Sequence, residues 1–136
     1  MHLLAENVGL AVGNLRLRDT LRQMALADPL TGLANRRHLE EMLKMQAAES
    51  ARIDQPISCM MLDVDHFKQF NDRFGHDAGD AVLRATGAVL KTCSREGSLA
   101  FRYGGEEFLI LMPELNAEQA VRRAEEVRDR LSLIHI

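Results

Sequence analysis

The order of patterned segments in this chain predicts an α/β fold, with helices packed against a mixed sheet. Three observations carry it. The apolar run Ile57-Ser58-Cys59-Met60-Met61-Leu62 has the length of a buried strand and ends in Asp63-Val64-Asp65. Leu99-Ala100-Phe101 and Phe108-Leu109-Ile110-Leu111-Met112 flank Gly104-Gly105-Glu106-Glu107 and read as a β-hairpin. Around these lie stretches with the 3.6-residue period of amphipathic helices, punctuated by Asn, Gly and Pro.

Residues 3–26 lack proline and carry Leu3, Leu10, Leu17 and Met24 at heptad spacing, with Asn7, Asn14 and Leu21 at the alternate seam positions. The pattern predicts a parallel coiled-coil helix whose asparagines cost stability while favouring one register and a dimer. Leu4, Val8, Ala11 and Val12 widen the apolar face, so an amphipathic helix lying on its own domain is the alternative. Asp28-Pro29 ends this helix, because the residue before proline is pushed out of the α region, and Thr31-Gly32 continues the turn. The chain therefore divides into a linker helix, 1–27, and a domain, 28–136.

Within the domain, Asn35 is placed to cap a helix carrying Leu39, Met42, Leu43 and Ala47, closed by Asp54-Gln55-Pro56. The strand from Ile57 follows, then a short helix from residue 67 to 74. A longer helix, from 77 to about 94, has Ala81, Val82, Ala85, Ala88 and Val89 facing inward. The hairpin glycines are expected to supply a turn with positive φ and to admit a ligand close to the backbone. Pro113 stops the second hairpin strand, and Asn116 caps a helix with Ala120, Ala124, Val127 and Leu131 inward.

Composition bounds less. With 136 residues, 46% hydrophobic and 27% charged, the chain fits one soluble globular domain. A net charge of −3 indicates no nucleic-acid-binding surface, so an anionic ligand would need local positive charge. Cys59 and Cys93 form no disulfide framework and read as reduced core thiols of a cytoplasmic protein. No apolar run approaches the roughly 20 residues of a membrane span.

The two acidic centres suggest a metal site. If Asp63 and the Glu106-Glu107 turn meet across adjacent strands, two carboxylates about 4 Å apart repel by roughly 4 kcal/mol at an effective dielectric of 20, a penalty that a cation removes. Oxygen-only ligands at an open site favour Mg²⁺, or Mn²⁺, completed by water and a phosphate. The competing reading of the acids is solvated hairpin charge.

In three ordered blocks the chain resembles the diguanylate cyclase, or GGDEF-domain, family: DPLTGLANRRHLEE from Asp28, DVDHFKQFNDRFGHDAGDAVL from Asp63, and RYGGEEF from Arg102. The resemblance implies a ferredoxin-like, nucleotide-cyclase-type palm and the joining of two GTP into cyclic di-GMP with release of two pyrophosphates. It implies two domains facing each other in a homodimer. Asp63 and Glu106 are the expected metal ligands, with the Val64 carbonyl added by the family pattern. Glu106 is the candidate for the hydroxyl proton, in competition with a metal-bound hydroxide, and Glu107 ranks lower because strand alternation turns it away. The helix start around His66, Phe67 and Lys68 would aim free amides at the β- and γ-phosphates.

By the same resemblance Asn71 and Asp80 read the guanine edge, against a local reading of both as helix-cap residues. Asp65 is read with equal weight as the cap of the helix at Phe67. Arg102 is expected to hold the acidic turn, aided by Gly104 and Gly105. The family's inhibitory Arg-x-x-Asp site is degenerate, since Arg95 is present but Ser98 stands in place of the aspartate. The stretch AENVGLAVGNLRLRDTLRQ from Ala5 resembles the closing helix of a GAF-type sensory domain running into a signalling linker, which implies an upstream sensor. A strand, helix and strand that complete the family's sheet are missing after residue 136. The ending Leu131-Ser132-Leu133-Ile134-His135-Ile136 does not match the family, which suggests a C-terminal truncation or foreign junction, an edge strand being the alternative. The function class opposed to the enzyme is a non-catalytic GTP-binding regulatory domain.

Overall fold

The computed structural model describes residues 2–94 and 97–134, apart from the side chains of His2, Leu3, Leu4 and Gln23. The elements run α1 (His2–Leu26), α2 (Arg36–Ile53), β1 (Ile57–Asp63), α3 (Phe67–Phe74), α4 (His76–Ser94), β2 (Leu99–Gly104), β3 (Glu107–Pro113) and α5 (Ala117–Ser132). This is the expected order. The sheet has the strand order β1-β3-β2, and both pairings are antiparallel. Its mixed character is confined to a parallel bridge between Ala34 and Phe101, which seats the segment before α2 beside β2.

Strand alternation divides the core in two. Phe108, Ile110 and Met112 of β3 face α4 and α5 and pack with Leu33, Leu83, Leu90, Cys93, Ala100 and Val127. Leu111, with Phe101, faces Leu39 of α2 on the other side. In α4 the buried stripe is Leu83, Thr86, Gly87, Leu90 and Cys93, while Ala81 and Ala88 are exposed. That is one step out of phase with the sequence reading, which followed the alanines and valines rather than the leucines at i and i+7. In α2, Leu39 is buried as expected, but Leu43 and Ala47 are exposed.

β1 lies at the sheet edge and is not the buried strand its composition suggests. Met61 is 54% exposed and Cys59 is exposed, so only Cys93 is a core thiol. The helix α2 packs more on β2 than on β1, and although Ile57 joins its cluster, Cys59 and Met61 are left exposed.

Asn35 acts as the cap expected of it and does more. Its Oδ1 accepts the His38 N–H at 3.0 Å, and its Nδ2 donates to the Ala25 carbonyl at 2.7 Å, so one side chain ties the end of α1 to the start of α2. At α5, Asn116 and Gln119 form a reciprocal capping box, each side chain accepting the other's N–H at 2.9 Å. Asn116→Ala is expected to cost about 1 kcal/mol, read as a lower denaturant midpoint at unchanged slope.

Every described side chain between residues 5 and 25 is exposed, including Leu10 (69%) and Met24 (70%). The helix α1 therefore does not lie on its own domain, and its seam faces outward; the Leu3 side chain is outside the description. At the other end, Leu131 and Ser132 are helical and Leu133 caps α5, which excludes an edge strand over the described residues; His135 and Ile136 lie outside them.

Candidate active site

The acidic turn is built by a bulged hairpin. Arg102 pairs with Phe108 and Gly104 with Glu107, so Tyr103 is the extra residue and Gly105-Glu106 forms the turn. Neither Gly104 nor Gly105 has positive φ, contrary to the sequence expectation; the described glycines that do are Gly32, Gly75 and Gly97. The physical reason is the bulge, which supplies the twist that a tight hairpin otherwise takes from a turn with positive φ. A Cβ on Gly105 would meet nothing within 4 Å, so the backbone there is open to a ligand.

Arg102 bonds to the backbone of the turn. Its Nε and Nη2 donate to the Gly105 carbonyl at 3.2 and 2.8 Å. Its Nη1 donates to both carboxylate oxygens of Asp28 at 3.0 and 3.1 Å, with both side chains largely buried. Asp28 in turn accepts the Thr31 N–H and hydroxyl at 2.8 and 2.7 Å. The sequence reading missed this role for Asp28, seeing only a helix end before proline. The available signal was Asp-x-x-Thr, which closes a turn on its own backbone.

Burial by itself would raise the Asp28 carboxyl, but the Thr31 hydrogen bonds and the Arg102 guanidinium together hold it below the ordinary carboxylate range. A depressed folded-state pKa contributes stability at neutral pH that is lost as pH falls from about 4 through the folded value. An Asp28→Asn variant is therefore expected to show a flatter loss of stability below about pH 4, measured by denaturant melts across that range.

β1 delivers the second acidic centre to the first. Asp63 stands opposite Glu107 in the ladder, and the Val64 N–H donates to the Glu106 carbonyl at 3.2 Å. Asp63, Val64, Asp65 and Glu106 line one cleft of about 700 Å³ with the start of α3, including His66, Phe67 and Lys68. Glu107 is not among the lining residues, although as the ladder partner of Asp63 it shares that residue's face of the sheet. The N-cap of α3 is His66, in the left-handed region with φ of 56°, and Asp65 does not cap. His66 instead pairs through Nδ1 with Gln69 Oε1 at 2.9 Å. The Phe70 N–H bonds to the His66 carbonyl at 3.0 Å, and the amides ahead of it have no earlier carbonyl in the helix.

Asn71 and Asp80 sit at the joint of α3 and α4 and do not line the cleft. Neither occupies a cap: Asn71 is within α3, and Asp80 lies one turn inside α4. Asn71 Oδ1 is buried without a hydrogen-bond partner and points at Gly79, where a Cβ would lie 1.7 Å from it. Asp72, within α3, also lines the cleft. Ser98 is buried ahead of β2, while Arg95 lies outside the described residues.

Among the described residues no group of three His, Cys, Asp or Glu side chains gathers as a metal cage. Four acidic residues, Asp63, Asp65, Asp72 and Glu106, line the open cleft, and oxygen donors of this kind fit a hard cation keeping several waters rather than zinc.

A model of the family described as "Diguanylate cyclase, GGDEF domain" matches residues 25–136. The chain belongs to the GGDEF family. It is 38% identical over 121 residues to diguanylate cyclase DgcM of Escherichia coli, an alignment covering 89% of this chain and 30% of DgcM. The chain thus spans about a third or less of such curated relatives. Among solved structures, the coiled coil and GGDEF domain of DgcB from Caulobacter crescentus, in complex with c-di-GMP, superposes with a TM-score of 0.80 at 35% identity, covering 93% of this chain and 68% of that one. The active GGEEF domain of a diguanylate cyclase from Vibrio cholerae gives 0.67 at 39% identity, covering 72% and 63%. The DgcB match includes a coiled coil and covers more of this chain than residues 25–136, so it takes in part of α1 as well as the GGDEF domain.

Proposed function

We propose that the protein is a diguanylate cyclase that condenses two GTP into cyclic di-GMP, releasing two pyrophosphates. The observation carrying this reading is the meeting of Asp63 and Glu106 in one cleft, with the Val64 amide bonded to the Glu106 carbonyl. Asp63, Glu106 and the Val64 carbonyl would hold Mg²⁺ or Mn²⁺, which when bound supplies charge neutralisation at the reacting phosphate. The protein's own work is positioning. The α3 amides at Phe67 and Lys68, following His66, bind the β- and γ-phosphates, and Lys68 adds a point charge. In this reading Glu106 takes the 3′-hydroxyl proton, which its position in the cleft supports, and Glu107, outside the cleft lining, has a supporting role.

Asn71 and Asp80 are the guanine readers. The partnerless Asn71 oxygen supports this, since a buried acceptor without a donor is the group that a base N–H satisfies. Reaching the base requires that side chain to turn out from Gly79.

Each domain holds one GTP, so turnover needs two copies face to face. The outward seam of α1 supports a parallel coiled coil with an upstream sensory domain governing that encounter. Ser98 in place of an aspartate argues against product inhibition at the position it shares with Arg95. Among the described residues no helix is long and apolar enough to cross a membrane, and the GTP reaction would run in the cytoplasm.

Incubating the full-length protein with GTP and Mg²⁺ and measuring pyrophosphate tests the reading. Thermal melting with GTP at about 100 times its Kd should show about 2.7 kcal/mol of stabilisation. A melting shift without pyrophosphate would identify a GTP-binding regulatory domain instead.

A further inference from the structure

We infer that Gly87, in the middle of α4, and Thr31 are positioning residues for the acidic turn. The absence of a side chain at Gly87 lets Thr31 seat against α4, and that seat fixes the polar relay that ends on Gly105. A Cβ on Gly87 would lie 2.8 Å from Thr31 Cβ and 3.3 Å from its Cγ2, closer than packed carbons approach. Both residues are packed: Gly87 is buried, and Thr31 is half-buried within a turn locked by the Asp28 N–H to the Leu33 carbonyl at 2.7 Å and the Gly32 N–H to the Asp28 carbonyl at 2.8 Å.

From Thr31 the contacts are continuous. Its hydroxyl donates to Asp28 Oδ2 at 2.7 Å, Asp28 accepts from Arg102 Nη1, and Arg102 donates through Nε and Nη2 to the Gly105 carbonyl, the residue before Glu106. Parallel support comes from the Arg102 N–H, which donates to the Ala34 carbonyl at 2.9 Å. The segment 28–35 begins at the end of α1 and touches both α4, which carries Asp80, and the hairpin that carries Glu106. Displacement of this turn is thus felt in both halves of the site. The consequence for turnover rests on the function proposed above; the relay itself does not.

The test uses the 136-residue chain and reads the Arg102 Nε–H and the Gly105 and Glu106 amides by NMR. Gly87→Ala is expected to speed exchange of the Arg102 Nε–H about tenfold or more and to move the Gly105 and Glu106 peaks, with core amides of β3 unchanged. If Gly87→Ala fails to fold, Thr31→Val serves, because it keeps the shape and removes only the hydroxyl. Thr31→Val should reproduce the faster exchange, and Thr31→Ser, which retains the hydroxyl, should reverse most of it. Thr31→Val with an unmoved Arg102 Nε–H and Gly105 amide overturns the relay. In the full-length protein, the Mg²⁺ concentration for half-maximal pyrophosphate release should rise about tenfold in Thr31→Val, at a KM for GTP changed by less than about threefold. A wild-type protein without turnover but with the NMR responses intact would sink the cyclase reading and leave the relay standing.

Discussion

Glu106→Gln is expected to lower pyrophosphate release from GTP by about 10²-fold or more while leaving the melting midpoint within about 0.5 kcal/mol of wild type. Glutamine preserves the volume and one acceptor oxygen but removes the charge that a cation in this cleft requires. Stability should hardly change, because the backbone bonds at this turn, from Val64 N–H and from Arg102, go to the carbonyls of Glu106 and Gly105 and not to the Glu106 side chain. Removing one of the four acidic charges that line the cleft relieves repulsion, so a small gain in stability is the more natural sign. Undiminished turnover would remove Glu106 from the reaction. Mn²⁺ binding followed by electron paramagnetic resonance supplies an independent reading, in which the variant should bind at least about tenfold more weakly.

The second large effect lies at Gly79. Ala in place of Gly inside a helix ordinarily stabilises by about 1 kcal/mol. At this position the new methyl would sit 1.7 Å from Asn71 Oδ1, so α3 and α4 must separate or Asn71 must be expelled. Gly79→Ala is therefore expected to destabilise by about 1–3 kcal/mol, with the opposite sign to the ordinary substitution. Truncating the obstacle in Asn71→Ala/Gly79→Ala should recover most of that loss, and the double-mutant cycle should give a coupling above about 1 kcal/mol in urea melts. Simple additivity would show that the two side chains do not compete for the same space.

The local signals in the chain were legible where one residue suffices to make the structure. Asn35 and Asn116 cap their helices because an extended residue with a short acceptor side chain satisfies an orphan amide regardless of what packs nearby. Asp63 reached the acidic turn because strand length and hairpin position left little freedom in register, and the cleft followed. Where the sequence misled, a neighbour had intervened. The apolar composition of β1 suggested burial on both faces, but α2 packs more on β2 than on β1, and Cys59 and Met61 remain exposed. Two glycines at a turn suggested positive φ, but a bulge at Tyr103 supplied the twist. Asp65 looked like a cap, but His66 takes that position.

By itself, then, the sequence determined the order of helices and strands, the caps, the family and the pair of acidic segments that meet, because these depend on period, turn chemistry and motif spacing along the chain. The tertiary structure alone decided which residue anchors Arg102 behind the acidic turn and which glycines make room for their neighbours. Arg102 finds Asp28 across 74 positions, and Gly79 and Gly87 are defined by what presses on them from other elements. Such contacts are set by the packing of α4 and the 28–35 turn against the hairpin, and distance in space has no signature in a single chain's local pattern.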